Sequence, residues 1–329
     1  MRVFLRKLNP AKLGKNLRIL GKVLAGHAFR ALGNHQGALR WYGSVIPQAP
    51  FQTANLRRID RLTCGGEPDA ADLFPCNSDV PDYFALFIGY PRSGHSLVGS
   101  LLDAHPHITL AHELHVLRQV RRGVAPDALR RYIRYNAIGY AQFGRSQTGY
   151  SYEVPGQYQG FTGDSRVLGD KKGGGSAGYL RKHPELLQRL EDGLECPLRF
   201  VHVVRNPFDN IATMARRAGR SLADARDHYF RLADSVAELK GRYPVEAFLD
   251  VYLDDFIADP RGELDRAAGF FGLTTDSAYR EACGGLVYPA PNPSREQVAW
   301  DPALVADIRA RCAAYPFLAR FDADDAAPR

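Results

Sequence analysis

The sequence predicts an α/β fold of three layers, a mainly parallel sheet flanked by helices, with a helical extension ahead of it. Three observations carry the expectation. Phe84–Tyr90 (FALFIGY) is a short apolar run that passes through a glycine-containing loop into SLVGSLLDAH, which has helical periodicity. Two further apolar runs, Arg166–Gly169 (RVLG) and Leu198–Val204 (LRFVHVV), are each followed by a helical pattern, and Phe248–Leu253 (FLDVYL) adds another candidate strand. Strands that alternate with helices imply parallel strands joined by crossovers and covered on both faces.

With 329 residues, 45% of them hydrophobic, the chain can bury one large core or two modest ones, which excludes a disordered polymer. The net charge of +7 is uneven: residues 1–59 hold eleven Lys or Arg and no Asp or Glu, leaving 32 basic against 36 acidic residues elsewhere. Within that stretch Leu13, Leu17, Leu20, Leu24 and Ala28 recur at helical spacing, with Lys15, Arg18 and Lys22 off the stripe, so an amphipathic basic helix is expected. Such a helix packs its stripe on the protein's own core, which is the reading favoured here, or lies as a peripheral element on an anionic membrane. Arg18 and Lys22 interrupt every candidate apolar run, so neither a signal peptide nor a spanning segment is expected. The five cysteines, Cys64, Cys76, Cys196, Cys283 and Cys312, show no C-x-x-C spacing. They are read as mostly reduced, in a cytoplasmic protein without a metal centre or a disulfide framework. No nucleic-acid partner is expected.

Along the chain, Gly33–Pro50 (GNHQGALRWYGSVIPQAP) resembles the second half of a tetratricopeptide repeat, with Gly33, Ala38, Tyr42 and Pro50 in its places. One copy cannot build a solenoid, so residues 1–62 are expected as a basic helical extension with one hairpin leaning on the main domain. Residues 63–81, with Gly-Gly, three prolines and several acids, read as a linker, and 82–329 as the main domain. Residues 131–161, rich in Tyr, Gly and Gln, show no clean period. They read either as a loop whose aromatics line a substrate pocket or as a surface hairpin packed by its own rings.

The loop after the first strand carries the chemistry. Gly89, four residues, Gly94, then His95 and Ser96 form the skeleton of a phosphate loop, in which the amides of Arg92–Leu97 at a helix start make a nest for a phosphate. His95 stands where a nucleotide triphosphatase has its lysine. Asp170 and Asp254 are the candidates for a magnesium-binding acid after a strand. The run Leu198–Val204 ends in Arg205-Asn206-Pro207, which puts a cation at a strand end facing the crevice where parallel sheets bind ligands. Arg92 and Arg205 together suit an anion held without metal.

These residues carry a resemblance. From about Tyr83 to Leu273 the chain resembles the sulfotransferases that use 3′-phosphoadenosine 5′-phosphosulfate (PAPS), especially the branch with tyrosylprotein and bacterial sulfotransferases. GYPRSGHSLVGSLLDAHP looks like their 5′-phosphosulfate loop, VVRNPFDNIATM like their 3′-phosphate motif, and DVYLDDFIADPRGELDRAAGFFGL like the strand and helix that follow. Three motifs stand in family order.

The resemblance implies a phosphate-loop type of fold and a role for each matching residue. Arg92, Ser93, Gly94, His95, Ser96 and Leu97 would hold the 5′-phosphate and sulfuryl group, with Ser96 as hydroxyl donor. Arg205 and Thr213, eight positions apart, would hold the 3′-phosphate. Glu113, in TLAHELHVL, would be the base, with His112 and His115 as rivals; if ITLAHE is extended, alternation turns both histidines away from it. Lys171, in GDKKGGGSAGYL, would approach the sulfuryl group, with Lys172 as a substitute, and Arg295, in NPSREQVAW, would contact the nucleotide from a closing loop. His95 replaces the usual Thr, so its side chain is expected to point away, and Gly173 replaces a usual proline. The implied reaction is in-line sulfuryl transfer from PAPS to a hydroxyl acceptor, releasing 3′-phosphoadenosine 5′-phosphate (PAP), with Arg92 and Lys171 stabilising charge. A divergent phosphate-loop kinase and an inactive nucleotide-binding scaffold are the alternatives. The acceptor, whether small molecule, lipid, sugar or peptide, is not written in these motifs.

Overall fold

The structure, a computed structural model, describes residues 10–66, 72–144, 146–147, 150–161, 163–322 and 328. In chain order the helices α1 (Pro10–Ala31), α2 (His35–Gly43) and α3 (Thr53–Thr63) precede β1 (Tyr83–Gly89). Then come α4 (His95–Leu102), β2 (Ile108–His112), α5 (Val116–Arg121), α6 (Pro126–Phe143), the two-residue strands β3 (Ser146–Gln147) and β4 (Tyr150–Ser151), and β5 (Val167–Lys171). The chain continues through α7 (Gly174–Leu180), α8 (Glu185–Leu194), β6 (Leu198–Val204), α9 (Pro207–Ala218), α10 (Leu222–Arg242) and β7 (Phe248–Tyr252). It finishes with α11 (Leu253–Ala258), α12 (Pro260–Phe270), α13 (Ser277–Gly284) and α14 (Pro302–Ala313).

β2, β5, β1, β6 and β7 lie in that order in one sheet, every pair parallel. The expected α/β architecture is the observed one. β1 lies at the centre, with Phe84 opposite Leu168 of β5 and Phe87 opposite Val201 of β6. Its side chains alternate between the two cores: Phe84, Leu86 and Ile88 join Ile133, Leu187, Phe208 and Tyr229 on one face, whereas Ala85 and Phe87 join Val98, Leu101 and Leu264 on the other. A continuous apolar strand is what two covered faces require. The helix after β6 starts where the sequence Arg-Asn-Pro commands it: Asn206 Oδ1 accepts from the amides of Phe208 and Asp209, and Pro207 takes the first helical position.

Several expectations are corrected. Residues 131–143 belong to α6 rather than to a loop or hairpin, and Tyr132, Tyr135 and Tyr140 are core residues. From Leu129 to Tyr140 nearly every side chain of α6 is buried, so the apolar stripe that marks a half-exposed helix never appears in its sequence. Beyond it, Ser146 pairs with Ser151 across β3 and β4, while residues 145, 148, 149 and 162 lie outside the described residues. Cys64 and Cys76 form a disulfide, against the expectation of reduced thiols, and the cysteines no longer argue for a cytoplasmic location. Cys196, Cys283 and Cys312 are free thiols. Within 63–81, Phe74 is fully buried with its ring edge-on to Tyr135 at 5.7 Å. Ala38, Leu39, Tyr42, Leu56 and Ile59 of the extension join the same core as β1.

The reading of α1 is reversed. Its body-facing side is Val23 and Gly26, where a Cβ on Gly26 would come within 2.4 Å of the Tyr42 ring, and Lys22 Nζ donates to the Ser44 carbonyl at 2.9 Å. That close approach turns the leucine stripe into water instead of onto the core. Among the described residues no helix is long and apolar enough to cross a membrane.

Candidate active site

The loop between β1 and α4 turns on three left-handed residues, Gly89 (φ 119°), Arg92 (φ 70°) and Gly94 (φ 102°). Arg92 is the one of these for which the conformation is costly, and such strain collects at ligand sites. Gly94 is additionally confined, since a Cβ there would lie 2.9 Å from Leu253. The loop's amides thus open at the start of α4, at the carboxyl end of the central strand.

Five side chains converge beside this loop. Lys171, at the end of β5, is buried, and its Nζ donates to Ser96 Oγ at 3.0 Å and to Glu113 Oε1 at 3.2 Å, and lies 3.1 Å from His112 Nε2. Lys172 Nζ takes the other Glu113 oxygen. The stem of Lys171 crosses Gly99, where a Cβ would sit 2.6 Å from Lys171 Cγ, so the glycine clears its path. Ser96, Lys171, Lys172 and Glu113, all named from the sequence, are therefore brought together. His112 joins them, contrary to the alternation argument. The reason is local: the strand stops at His112, and Glu113 has φ 65°, so the two side chains no longer alternate. His115 (φ 62°) does turn away, with its ring edge-on to Tyr179 at 4.7 Å.

The bend that throws Glu113 into the site is held by a residue the sequence offered only as a magnesium ligand. Asp170, fully buried, accepts from the amides of Leu114 at 3.0 Å and Val116 at 2.9 Å. Burial pushes its carboxyl up to about 6 in spite of the amide bonds. Burial alone would also raise Glu113, but Lys171 and Lys172 outweigh it and hold that carboxyl at about 2. Lys171 is itself lowered by burial, with Glu113 opposing. Burial lowers His115 to about 4.

His95 points away from the nest, as expected. Its Nε2 lies 2.9 Å from the Ile88 carbonyl and its Nδ1 2.9 Å from Ser93 Oγ. A Cβ on Gly173 (φ 46°) would meet the His95 ring at 2.5 Å. The two departures from the family pattern, His95 and Gly173, thus touch each other, the glycine making room for the imidazole. Burial lowers His95 to about 4. Between the ordinary histidine value of ~6.5 and that value the unfolded chain binds a proton the folded one refuses, so stability falls as pH drops through this window. His95→Gln is expected to remove roughly 3 kcal/mol of the stability lost between neutrality and pH 4, read from denaturant midpoints across pH. An unchanged pH dependence would place the titrating group elsewhere.

On the other side of the loop Arg205 continues β6, almost fully buried. Its Nη1 donates to Thr213 Oγ1 at 3.1 Å and to the Arg92 carbonyl at 3.4 Å, and its Nη2 to the Asn292 carbonyl at 2.5 Å and to Ser294 Oγ at 3.3 Å. Two helical turns separate Thr213 from the strand end, which puts its hydroxyl on the guanidinium. Arg295 is committed to Asp209, its amide at 2.8 Å and its Nη1 at 2.6 Å from that carboxylate. Ser294, passed over in the sequence beside Arg295, is the residue of the NPSREQVAW strap, 292–300, that reaches both Arg205 and Thr213, the latter at 2.9 Å.

The model of the sulfotransferase family matches residues 85–277, more than half of the chain. No curated protein matches it. Among solved structures, this chain is similar to the sulfotransferase domain from the Synechococcus PCC 7002 olefin synthase, with 22% identity, 71% of this chain and 89% of that one covered, and a TM-score of 0.42. It is similar to a sulfotransferase from Alicyclobacillus acidocaldarius at 18% identity, covering 74% of this chain and 95% of that one, with a TM-score of 0.42. A mouse sulfotransferase, SULT7A1, complexed with PAP shows 12% identity over 79% of this chain and 92% of its own, with a TM-score of 0.39.

Proposed function

This chain belongs to the sulfotransferase family, and from that premise we propose that it moves a sulfuryl group from PAPS to a hydroxyl acceptor with Glu113 as base. One observation carries the reading: a carboxylate, two lysines and a hydroxyl meet within hydrogen-bonding reach at the mouth of an amide nest. The residues fit the nucleotide. The nest, with Ser96, suits the 5′-phosphate end, and Arg205 with Thr213 and Ser294 offers charge and hydroxyls to a second phosphate. Arg92 and Arg295 extend the same reading, Arg92 at the nest and Arg295 through its ion pair with Asp209 of α9.

PAPS supplies an activated sulfuryl group; the protein's own part is to align, to neutralise charge and to take a proton. Lys171, between Ser96 and Glu113, is placed to carry charge at the reacting end. Lys171 and Lys172 both bind Glu113 and make it a weak base. An anion in the nest competes for those lysines, and each contact that Glu113 loses raises its carboxyl toward the ordinary range, where it accepts a hydroxyl proton more readily. Asp170 keeps Glu113 aimed through the 113–116 bend.

The 3′-phosphate assignment is tested by binding alone. Arg205→Ala is expected to weaken PAP by roughly 10–100-fold, the scale of a lost charge-assisted contact, and adenosine 5′-phosphate far less. Titration calorimetry with both nucleotides reads the difference. Equal losses would remove the assignment.

A further inference from the structure

Leu13, Leu17, Leu20 and Leu24 of α1 follow the spacing of one helix face and keep 44, 60, 52 and 57% of their surface in water. Leu32, just past the helix, keeps 82%. Single exposed leucines are ordinary, but a row of four on one face marks an interaction surface. The stripe is not the side that meets the body, which is Val23 and Gly26.

Charge selects the occupant. Residues 1–59 hold eleven basic residues and no acidic one, and Lys15 and Arg18 on α1 are exposed. A second copy would bring the same positive charge against itself. An anionic bilayer accepts both features at once, leucines at the acyl boundary and cations among the phosphates. We propose that α1 docks this protein onto an anionic lipid bilayer, leucine face down.

The α2–α3 hairpin on which α1 packs is tied to the active site. Asn136 Nδ2 donates to the carbonyl of Pro50, in the turn between α2 and α3, while its Oδ1 accepts from the amide of His112 at 2.6 Å. Tyr140 packs on the His112 ring at 4.3 Å and donates to the Pro47 carbonyl at 3.5 Å. Docking therefore holds the site at the membrane surface, a consequence that rests on the sulfuryl-transfer reading only for its chemistry.

The test is co-sedimentation of the full chain with vesicles of phosphatidylcholine alone or mixed with phosphatidylglycerol, at low and high salt. Binding is expected to the anionic vesicles only. The double substitution Leu17→Gln, Leu24→Gln leaves the charge intact and is expected to reduce partitioning at least about tenfold, with the thermal midpoint unchanged because both side chains are exposed. Equal binding by the double variant would show adsorption by charge alone and overturn the leucine-face docking. So would absence of vesicle binding, whether the chain stays monomeric or forms a dimer that the double variant dissociates. No readout here uses turnover, so this proposal and the catalytic one fail separately.

Discussion

Glu113→Gln is expected to lower turnover by roughly 10²–10⁴-fold while the affinity for PAP stays unchanged or tightens. Glutamine keeps the length of the side chain and one hydrogen-bond acceptor, so the bend at residues 113–116 survives on its Asp170 contacts. It loses the charge that, on the proposed reading, removes a proton. It also releases Lys171 and Lys172 from their carboxylate, which can only favour an anion in the nest. His112 is the rival, because its Nε2 lies 3.1 Å from the same Lys171 Nζ.

The pH profile separates the two candidates. A base must be deprotonated to act, so kcat/KM falls as pH drops through the pKa of the free enzyme's base. Glu113, held at about 2, leaves the profile flat through mildly acid solution, so a decline there would point to a base other than Glu113. If His112→Gln abolishes turnover and Glu113→Gln does not, the base is the imidazole.

What the sequence made legible, and what it hid, follows from the range of the interactions concerned. β1 and β6 are readable because two covered faces demand largely apolar runs, and the phosphate loop because its turns demand glycine at fixed places. Those requirements are local. The bend at Glu113 depends on Asp170, which accepts from Leu114, 56 residues before it, so a carboxylate that sets the geometry of the site looked from its neighbours like a metal ligand. The Cys64–Cys76 pair spans 12 residues, a spacing that by itself says nothing of pairing. α1 shows the limit most plainly: its amphipathic character is in the sequence, but which face meets the body was decided by Gly26 and the Tyr42 ring. Ser294 was hidden for a similar reason, since only the folded strap brings it to Arg205.

Lys171→Met is expected to lower turnover by roughly 10²–10³-fold, although the substitution acts in two opposed directions. Methionine preserves an unbranched stem across Gly99 and removes only the ammonium group. Losing that cation from beside Ser96 withdraws a preorganised charge from the reacting end, a loss of about 3–4 kcal/mol when such a donor faces a transition state. It also frees Glu113 from one of its two lysines, and the raised carboxyl becomes a somewhat better base, although a base expresses only part of its added strength in the rate. The cation's loss therefore dominates. The second effect remains visible in the pH profile, where the acid limb of kcat/KM moves to higher pH as the Glu113 carboxyl rises toward its ordinary range. Steady-state kinetics on Lys171→Met and Lys172→Met together decide the assignment. A rate that holds or rises for the first and collapses for the second means that Lys171 only restrains Glu113, and that Lys172 carries the charge.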